Sequence, residues 1–211
     1  DPAKGCKSVD WWGPFFCTAK ESAKDWDRWA LRHFYSTGSE GGLGWDLTAD
    51  LGMKFSVIVE DSFGIGRAFG GIVGGFTSRP GEPVIYRRCQ LWSLDWWGDT
   101  CGMYVRAEWD KPQDHPDVIM EDCTLAGPQC ALKTGNPGFK GYSRVKLKDC
   151  RLVAFNFSQP QGTPIPGVIQ NVEDGKFARY DLENCTVMGY KVFGVRKKPE
   201  TEKDIVYTTA G

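Results

Sequence analysis

The sequence carries no surplus of charge: 26 basic and 27 acidic side chains leave a formal net charge of -1. Long-range attraction to nucleic acid or to an anionic membrane is therefore not its organising feature, and no nucleic-acid partner is expected. No stretch approaches the ~20 consecutive apolar residues of a membrane-spanning helix, and the longest weakly polar run, Phe69 to Phe76, is half glycine. Histidine is scarce: His33 and His115 lie far apart without metal-ligand spacing and read as structural or surface residues. The glycine run from Gly64 to Gly75 lacks both the Gly-Lys-Ser/Thr ending of a phosphate loop and the spacing of a dinucleotide fingerprint, so tight turns explain it better. There is no initiator methionine either; a start at Asp1 fits a processed secretory protein, and equally a chain given without its natural beginning.

Present in quantity are turn formers and aromatics. Glycine occurs 26 times and proline 12 times in 211 residues, which favours many turns and β structure over helix. At this length one well-buried core is the default. Nine tryptophans exceed ordinary packing needs and point to a surface that meets a flat apolar partner such as a sugar ring. Eight cysteines are many for a cytosolic enzyme, and an even number admits bridges without proving them.

One short phrase recurs five times: VIVEDSF from Val57, VIYRRCQL from Val84, VIMEDCTL from Val118, VKLKDCRL from Val145 and YDLENCTV from Tyr180. Aligned on Asp61, Arg88, Asp122, Asp149 and Asn184, the copies are 27, 34, 27 and 35 residues apart, as a common coil of about 27 with an optional loop requires. Within a copy, Val118, Met120, Cys123 and Leu125 can face a core while Ile119, Glu121 and Thr124 face away, with a bend near Asp122 shifting the parity. This is strand, turn and strand, in repeats too short for a full crossover helix. A second phrase follows each first one (GIVGGF, GMYVRA, ALKTG, GVIQNV, KVFGVR), and its second residues Ile72, Met103, Leu132, Val168 and Val192 are expected to stack inward at ~4.8 Å per coil.

Over roughly residues 55 to 197 the chain thereby resembles the right-handed parallel β-helix family of pectate-lyase-like architecture. The fold expected is all-β: a right-handed parallel β-helix of about five coils over 55–211, preceded by an N-terminal loop and amphipathic capping helix over 1–54. The helix is drawn from Thr18 and Glu21 as a capping box, with Ala23, Trp26, Ala30 and Phe34 on one face and a stop at Ser36-Thr37-Gly38. Cys89, Cys123, Cys150 and Cys185 share one repeat position and are expected as an inward file of buried thiols. Cys101 and Cys130 also align, as thiols or as a bridge, and a Cys6–Cys17 bridge would close the short loop around WWGPFF. The charged run RKKPETEK reads as a solvated turn, and the final coil lacks an obvious cover.

In that family, grooves for ligands run along the sheet built from strands like the second phrase, which is what the resemblance implies here. Outward positions are then Val73, Tyr104, Lys133, Ile169 and Phe193, followed two residues on by Arg106 and Asn171, among others. Tyr104, Arg106, Lys133 and Asn171 form a polar and cationic patch suited to an acidic sugar. The segment from Leu91 to Asp110 adds Trp92, Trp96, Trp97 and Trp109 beside Asp95 and Asp99, and aromatic plates with carboxylates suit carbohydrate. Gly98-Asp99-Thr100-Cys101 faintly resembles the G-D-D-C stretch of polygalacturonase-type glycosidases but has Thr100 for the second aspartate, and no Gly-His-Gly motif follows. A lyase of the pectate type would use Arg106 or Lys133 as base, with calcium held by Asp95 or Asp99, although no dense oxygen-ligand motif is present. No cofactor beyond that calcium is indicated.

Two functions follow as expectations. One is an extracytoplasmic protein that binds or processes a polysaccharide along an aromatic and basic sheet face. The other is a non-catalytic structural or assembly module whose partners are other protein subunits.

Overall fold

The computed structural model describes residues 6–8, 15–19, 29–37, 41–47, 54–55, 57–78, 83–94, 100–107, 111, 113–135, 142–155, 167–171, 177–189, 192–195 and 205–210. Among them there is no helix. Three sheets run side by side, each built by parallel pairing of strands from successive passes of the chain.

The first sheet stacks β3 (Trp29–Arg32), β7 (Val57–Glu60), β10 (Val84–Arg87), β13 (Val118–Glu121), β16 (Tyr142–Lys148), β19 (Phe177–Glu183) and β22 (Ile205–Ala210). The second stacks β4 (Tyr35–Thr37), β8 (Phe63–Gly66), β11 (Gln90–Ser93), β14 (Thr124–Gly127), β17 (Arg151–Ala154) and β20 (Thr186–Met188). The third stacks β5 (Gly41–Leu47), β9 (Phe69–Ser78), β12 (Cys101–Ala107), β15 (Cys130–Thr134), β18 (Ile169–Asn171) and β21 (Phe193–Val195). Beyond β5 it continues into β2 (Phe15–Ala19) and the antiparallel β1 (Cys6–Ser8), while β6 (Lys54–Phe55) pairs with β9. The chain visits first, second and third sheet in turn, six times, an arrangement compatible with a parallel β-helix.

The corner between the first two sheets carries the repeat. Among the described residues six non-glycine residues have positive φ, all at this corner: His33 (52°), Asp61 (49°), Arg88 (50°), Asp122 (50°), Asp149 (53°) and Asn184 (49°). Aspartate and asparagine tolerate the left-handed region better than most residues. One such residue turns the chain without breaking the ladder, because its N–H still donates to the next pass: Asp61 to Arg87 O at 3.0 Å, Arg88 to Glu121 O at 2.9 Å, Asp122 to Lys148 O at 2.9 Å. Arg88, an unfavourable residue for this conformation, is tied across passes to Asp61 by bonds of 2.6 and 2.8 Å.

The next residue points inward, giving the file Phe34, Ser62, Cys89, Cys123, Cys150 and Cys185. The four cysteines are free thiols, as expected, and so are Cys101 and Cys130, which pair in register. Each ladder thiol donates to the carbonyl two residues back, at 3.2 Å from Cys89 to Arg87 O and 3.3 Å from Cys123 to Glu121 O. Ser62 uses its hydroxyl in the same way toward Glu60 O at 2.7 Å, so from Ser62 onward a small donor, rather than sulfur itself, serves at this position. Hydrogen bonding with Cys150 and Cys89, and then burial, push the Cys123 thiol well above the usual range and keep it protonated. Around this file pack Val84, Tyr86, Met120, Leu125, Leu147 and Leu152, each fully buried. Gly102 marks a tight corner elsewhere in the coil: a Cβ there would lie 2.6 Å from Ala126 N and 2.8 Å from Ala131 O.

The outer face of the first sheet is laced with charge. The register aligns Arg32, Glu60, Arg87, Glu121, Lys148 and Glu183 in one file of alternating sign. Arg32 meets Glu60 at 2.7 Å, Arg87 meets Glu121 at 2.6 Å and Lys148 meets Glu183 at 2.8 Å. Individually such exposed pairs contribute little. A slip by one pass would set like charges side by side, so the file opposes misregistered stacking.

At the N-terminus the described residues bear on two expectations. Of the segment read as a capping helix, Thr18–Ala19 belong to β2 and residues 29–36 to β3, β4 and the corner between them, while residues 20–28 lie outside the described residues. Coiling thus begins before residue 55: WALRHFYST is a further copy of the repeat, with His33 at the left-handed corner and Leu31 and Phe34 packed against the core. Inward residues on the two sides of such a corner fall three apart, a spacing that also fits a helix face. For Cys6 and Cys17, the backbone register pairs Cys6 with Ala19 and Cys17 with Ser8 rather than with one another.

Candidate functional site

The third sheet carries the candidate site. Its strands alternate faces: Met103, Leu132 and Ile169 are in register and fully buried in the core, and Tyr104, Lys133 and Gln170 are in register on the other face. Arg106 follows Tyr104 two residues along β12, on that same face. Three of the patch residues expected from the sequence, Tyr104, Arg106 and Lys133, are therefore brought together.

Their geometry centres on one ring. Lys133 Nζ lies 4.8 Å from the centroid of Tyr104 and Arg106 Cζ lies 5.6 Å from the same centroid, both within cation–π range. Phe69 packs on Tyr104 as well, with centroids 5.3 Å apart and planes tilted by 32°. The patch is not the open solvated face that alternation alone suggests: Tyr104 is 6% exposed, Lys133 1% and Gln170 8%. Arg106 is half-buried. Cys101 and Cys130 complete a small apolar cluster with Ala68, Phe69 and Tyr104.

The fourth member expected on this patch, Asn171, is elsewhere. It stands in register with Thr134, and Thr134 with Val105, on the interior face, and it is 2% exposed. Thr134 donates to Asn171 Oδ1 at 3.5 Å and shares a hydrogen bond with the hydroxyl of Tyr180, so these three side chains form a polar knot inside the core. Burial pushes the Tyr180 phenol up, which keeps it neutral and able to donate. The shift of face has a visible cause. Val168 O accepts from both Ala131 N at 2.8 Å and Leu132 N at 3.2 Å, so two residues at the start of β15 stand opposite one, and Leu132 pairs with Ile169 rather than with Val168. Ile169, expected outward, is thus a core residue, and Gln170 takes its place beside Lys133. Val192, expected inward, is 43% exposed.

Trp92 also separates from this patch. It lies on β11 in the second sheet, with Leu91 inward and Trp92 on the outer face. Trp96, Trp97, Trp109, Asp95 and Asp99 lie outside the described residues. That includes the two aspartates to which calcium was assigned; among the described residues no group of three acidic, histidine or cysteine side chains is placed to hold a metal ion. Chemically, the described cluster offers positive charge, a phenol ring and an amide, which together can bind an anionic or hydroxyl-rich ligand.

No protein-family model, no curated protein and no solved structure matches the chain.

Proposed function

We propose that this chain is a right-handed parallel β-helix of pectate-lyase-like architecture that works outside the cytoplasm and binds or processes a polysaccharide along the third sheet. The observation that carries the reading is the convergence of Lys133 and Arg106 on the Tyr104 ring, with Gln170 one pass further on. Burying a lysine to 1% exposure opposes folding stability, and concentrations of buried charge of this kind cluster at functional sites. Arg106, half-buried at the margin, is the member able to meet a ligand carboxylate by a two-pronged bond.

The test is a binding panel of acidic and neutral polysaccharides, with ultraviolet detection of unsaturated products to distinguish a lyase from a hydrolase or a binder. An acidic glycan is expected to bind, and Arg106→Ala to weaken it about tenfold or more while the circular dichroism spectrum is unchanged. Equal binding by parent and variant removes this site.

A second reading, a structural or assembly module, is favoured by the last pass. Cys185 and Val187 pack against the core only partly buried, and Met188 is 57% exposed. Burial of these groups by another subunit would complete the core there. Sedimentation velocity decides: a monomer across the micromolar range counts against assembly with a second copy.

A further inference from the structure

The outer face of the second sheet differs from that of the first in one respect: charge. Its six strands contain a single charged residue, Arg151, whereas the first sheet carries the alternating file described above. Depletion of charge is the compositional mark of a binding surface's centre. Down the middle of the face, in register from pass to pass, run Ile65, Trp92, Ala126, Val153 and Met188, of which Ala126 is buried, Ile65, Trp92 and Val153 are half-buried and Met188 is exposed. Beside them runs a hydrogen-bonding file of Gln90, Thr124, Arg151 and Thr186. Among the described residues, three of the four exposed large hydrophobic side chains belong to this face or its margin: Tyr35 at 75%, Leu94 at 60% and Met188 at 57%.

Size and edges decide what such a face fits. Five steps of ~4.8 Å by four residues of ~3.3 Å give a plane about 24 Å long and 13 Å wide, or roughly 300 Å². A stable protein–protein contact needs about 800 Å² per partner, so a second copy of the chain is not held by this face alone. An extended peptide draws its affinity from a free sheet edge, and β8, β11, β14 and β17 are each paired on both sides. A slender ligand with an apolar face and a hydroxylated edge remains. The absence of any carboxylate on these strands, with only one cation, matches a ligand without net charge.

We propose that the outer face of the second sheet is a binding platform for a linear, uncharged polysaccharide lying along the coil axis, its ring faces on Trp92, Val153 and Met188 and its hydroxyls on Gln90, Thr124 and Arg151. This platform shares with the reading above only the class of ligand. It lies on a different sheet from Tyr104, Arg106 and Lys133, so the two are separable.

Calorimetric titration of the full chain with neutral hexasaccharides tests it, the probes being β-1,4-linked glucose, β-1,4-linked N-acetylglucosamine, β-1,3-linked glucose and α-1,4-linked glucose. At least one is expected to bind. Trp92→Ala should weaken that binding tenfold or more. Because Trp92 is partly buried and its loss can disturb folding, the double variant Gln90→Ala/Arg151→Ala, at two exposed positions, supplies the second measurement and should weaken binding about threefold to tenfold. Arg106→Ala should leave it unchanged. The platform is overturned if no neutral hexasaccharide binds at millimolar concentration, or if binding survives both changes on the second sheet. It is also overturned if sedimentation shows a dimer that Trp92→Ala converts to monomer. Loss of neutral binding in Arg106→Ala would instead assign that ligand to the third sheet. Failure of acidic glycans alone touches only the earlier reading.

Discussion

Replacing Asp122 tests the corner on which the stacking rests. Its φ is 50°, its side chain is exposed, and its carboxylate enters none of the ion pairs along the neighbouring face, so substitution there reports on the backbone. In the left-handed region an ordinary residue is strained by about 1–2 kcal/mol, and a β-branched one by more. Glycine relieves that strain but loses about 0.5–1 kcal/mol through the greater freedom of the unfolded chain, so Asp122→Gly should fall within about 0.5 kcal/mol of the parent. Asp122→Val should lose about 2 kcal/mol. With a urea dependence near 3 kcal/mol per molar for a chain of this size, that loss lowers the unfolding midpoint by about 0.7 M. Thr124→Val, two residues along on extended β14, is the control and should stay within about 0.5 kcal/mol. Equal midpoints for Asp122→Gly and Asp122→Val would refute the left-handed corner and the repeat built on it.

Other consequences are more local. The Arg32, Arg88 and Lys148 partners hold the carboxyls of Glu60, Asp61 and Glu183 respectively below their usual values. In the window between folded and unfolded values the unfolded chain binds more protons, so stability from these groups is complete above about pH 5 and lost as pH falls through the folded values. Melting temperature should therefore drop between pH 5 and pH 3, and the drop should shrink in 1 M salt. Cys123→Ser should stay within about 1 kcal/mol of the parent because a hydroxyl serves at Ser62, while Cys123→Ala should lose about 1–2 kcal/mol through the missing donor and the void; thermal melts compare the two. Tyr180→Phe should lose about 1–2 kcal/mol by removing one of the two hydrogen bonds of the Thr134 hydroxyl, and adding Thr134→Val should recover part of it in a double-mutant cycle.

The coil was legible wherever the repeat kept its lettering. Valine, leucine and cysteine at fixed offsets from an aspartate or asparagine reveal strands, corner and inward file together, because only those positions face a core of fixed width. The same logic failed at WALRHFYST, where histidine stands at the corner and no cysteine follows, and where Leu31 and Phe34 carry a spacing shared by a helix. At the site, Tyr104 and Lys133 were legible because their strands enter the third sheet at the same offset. Asn171 was not, since Ala131 and Leu132 together stand opposite Val168, which pairs Leu132 with Ile169, and nothing in one sequence marks that irregularity. Gln170 was missed through the same irregularity. Trp92 was grouped with the patch because it is near in sequence, yet the chain crosses from second to third sheet between Trp92 and Tyr104.

Pairs of spin labels on the second sheet measure the stacking most directly. Tyr35, Gln90, Arg151 and Thr186 are exposed and in one file, on the first, third, fifth and sixth passes. Electron–electron distances from a label at position 35 should lengthen in order to positions 90, 151 and 186, with backbone separations of about 10, 19 and 24 Å at ~4.8 Å per pass. Distances that fail to rise in that order, or a position 186 no farther from position 35 than position 90 is, would contradict the stacked coil.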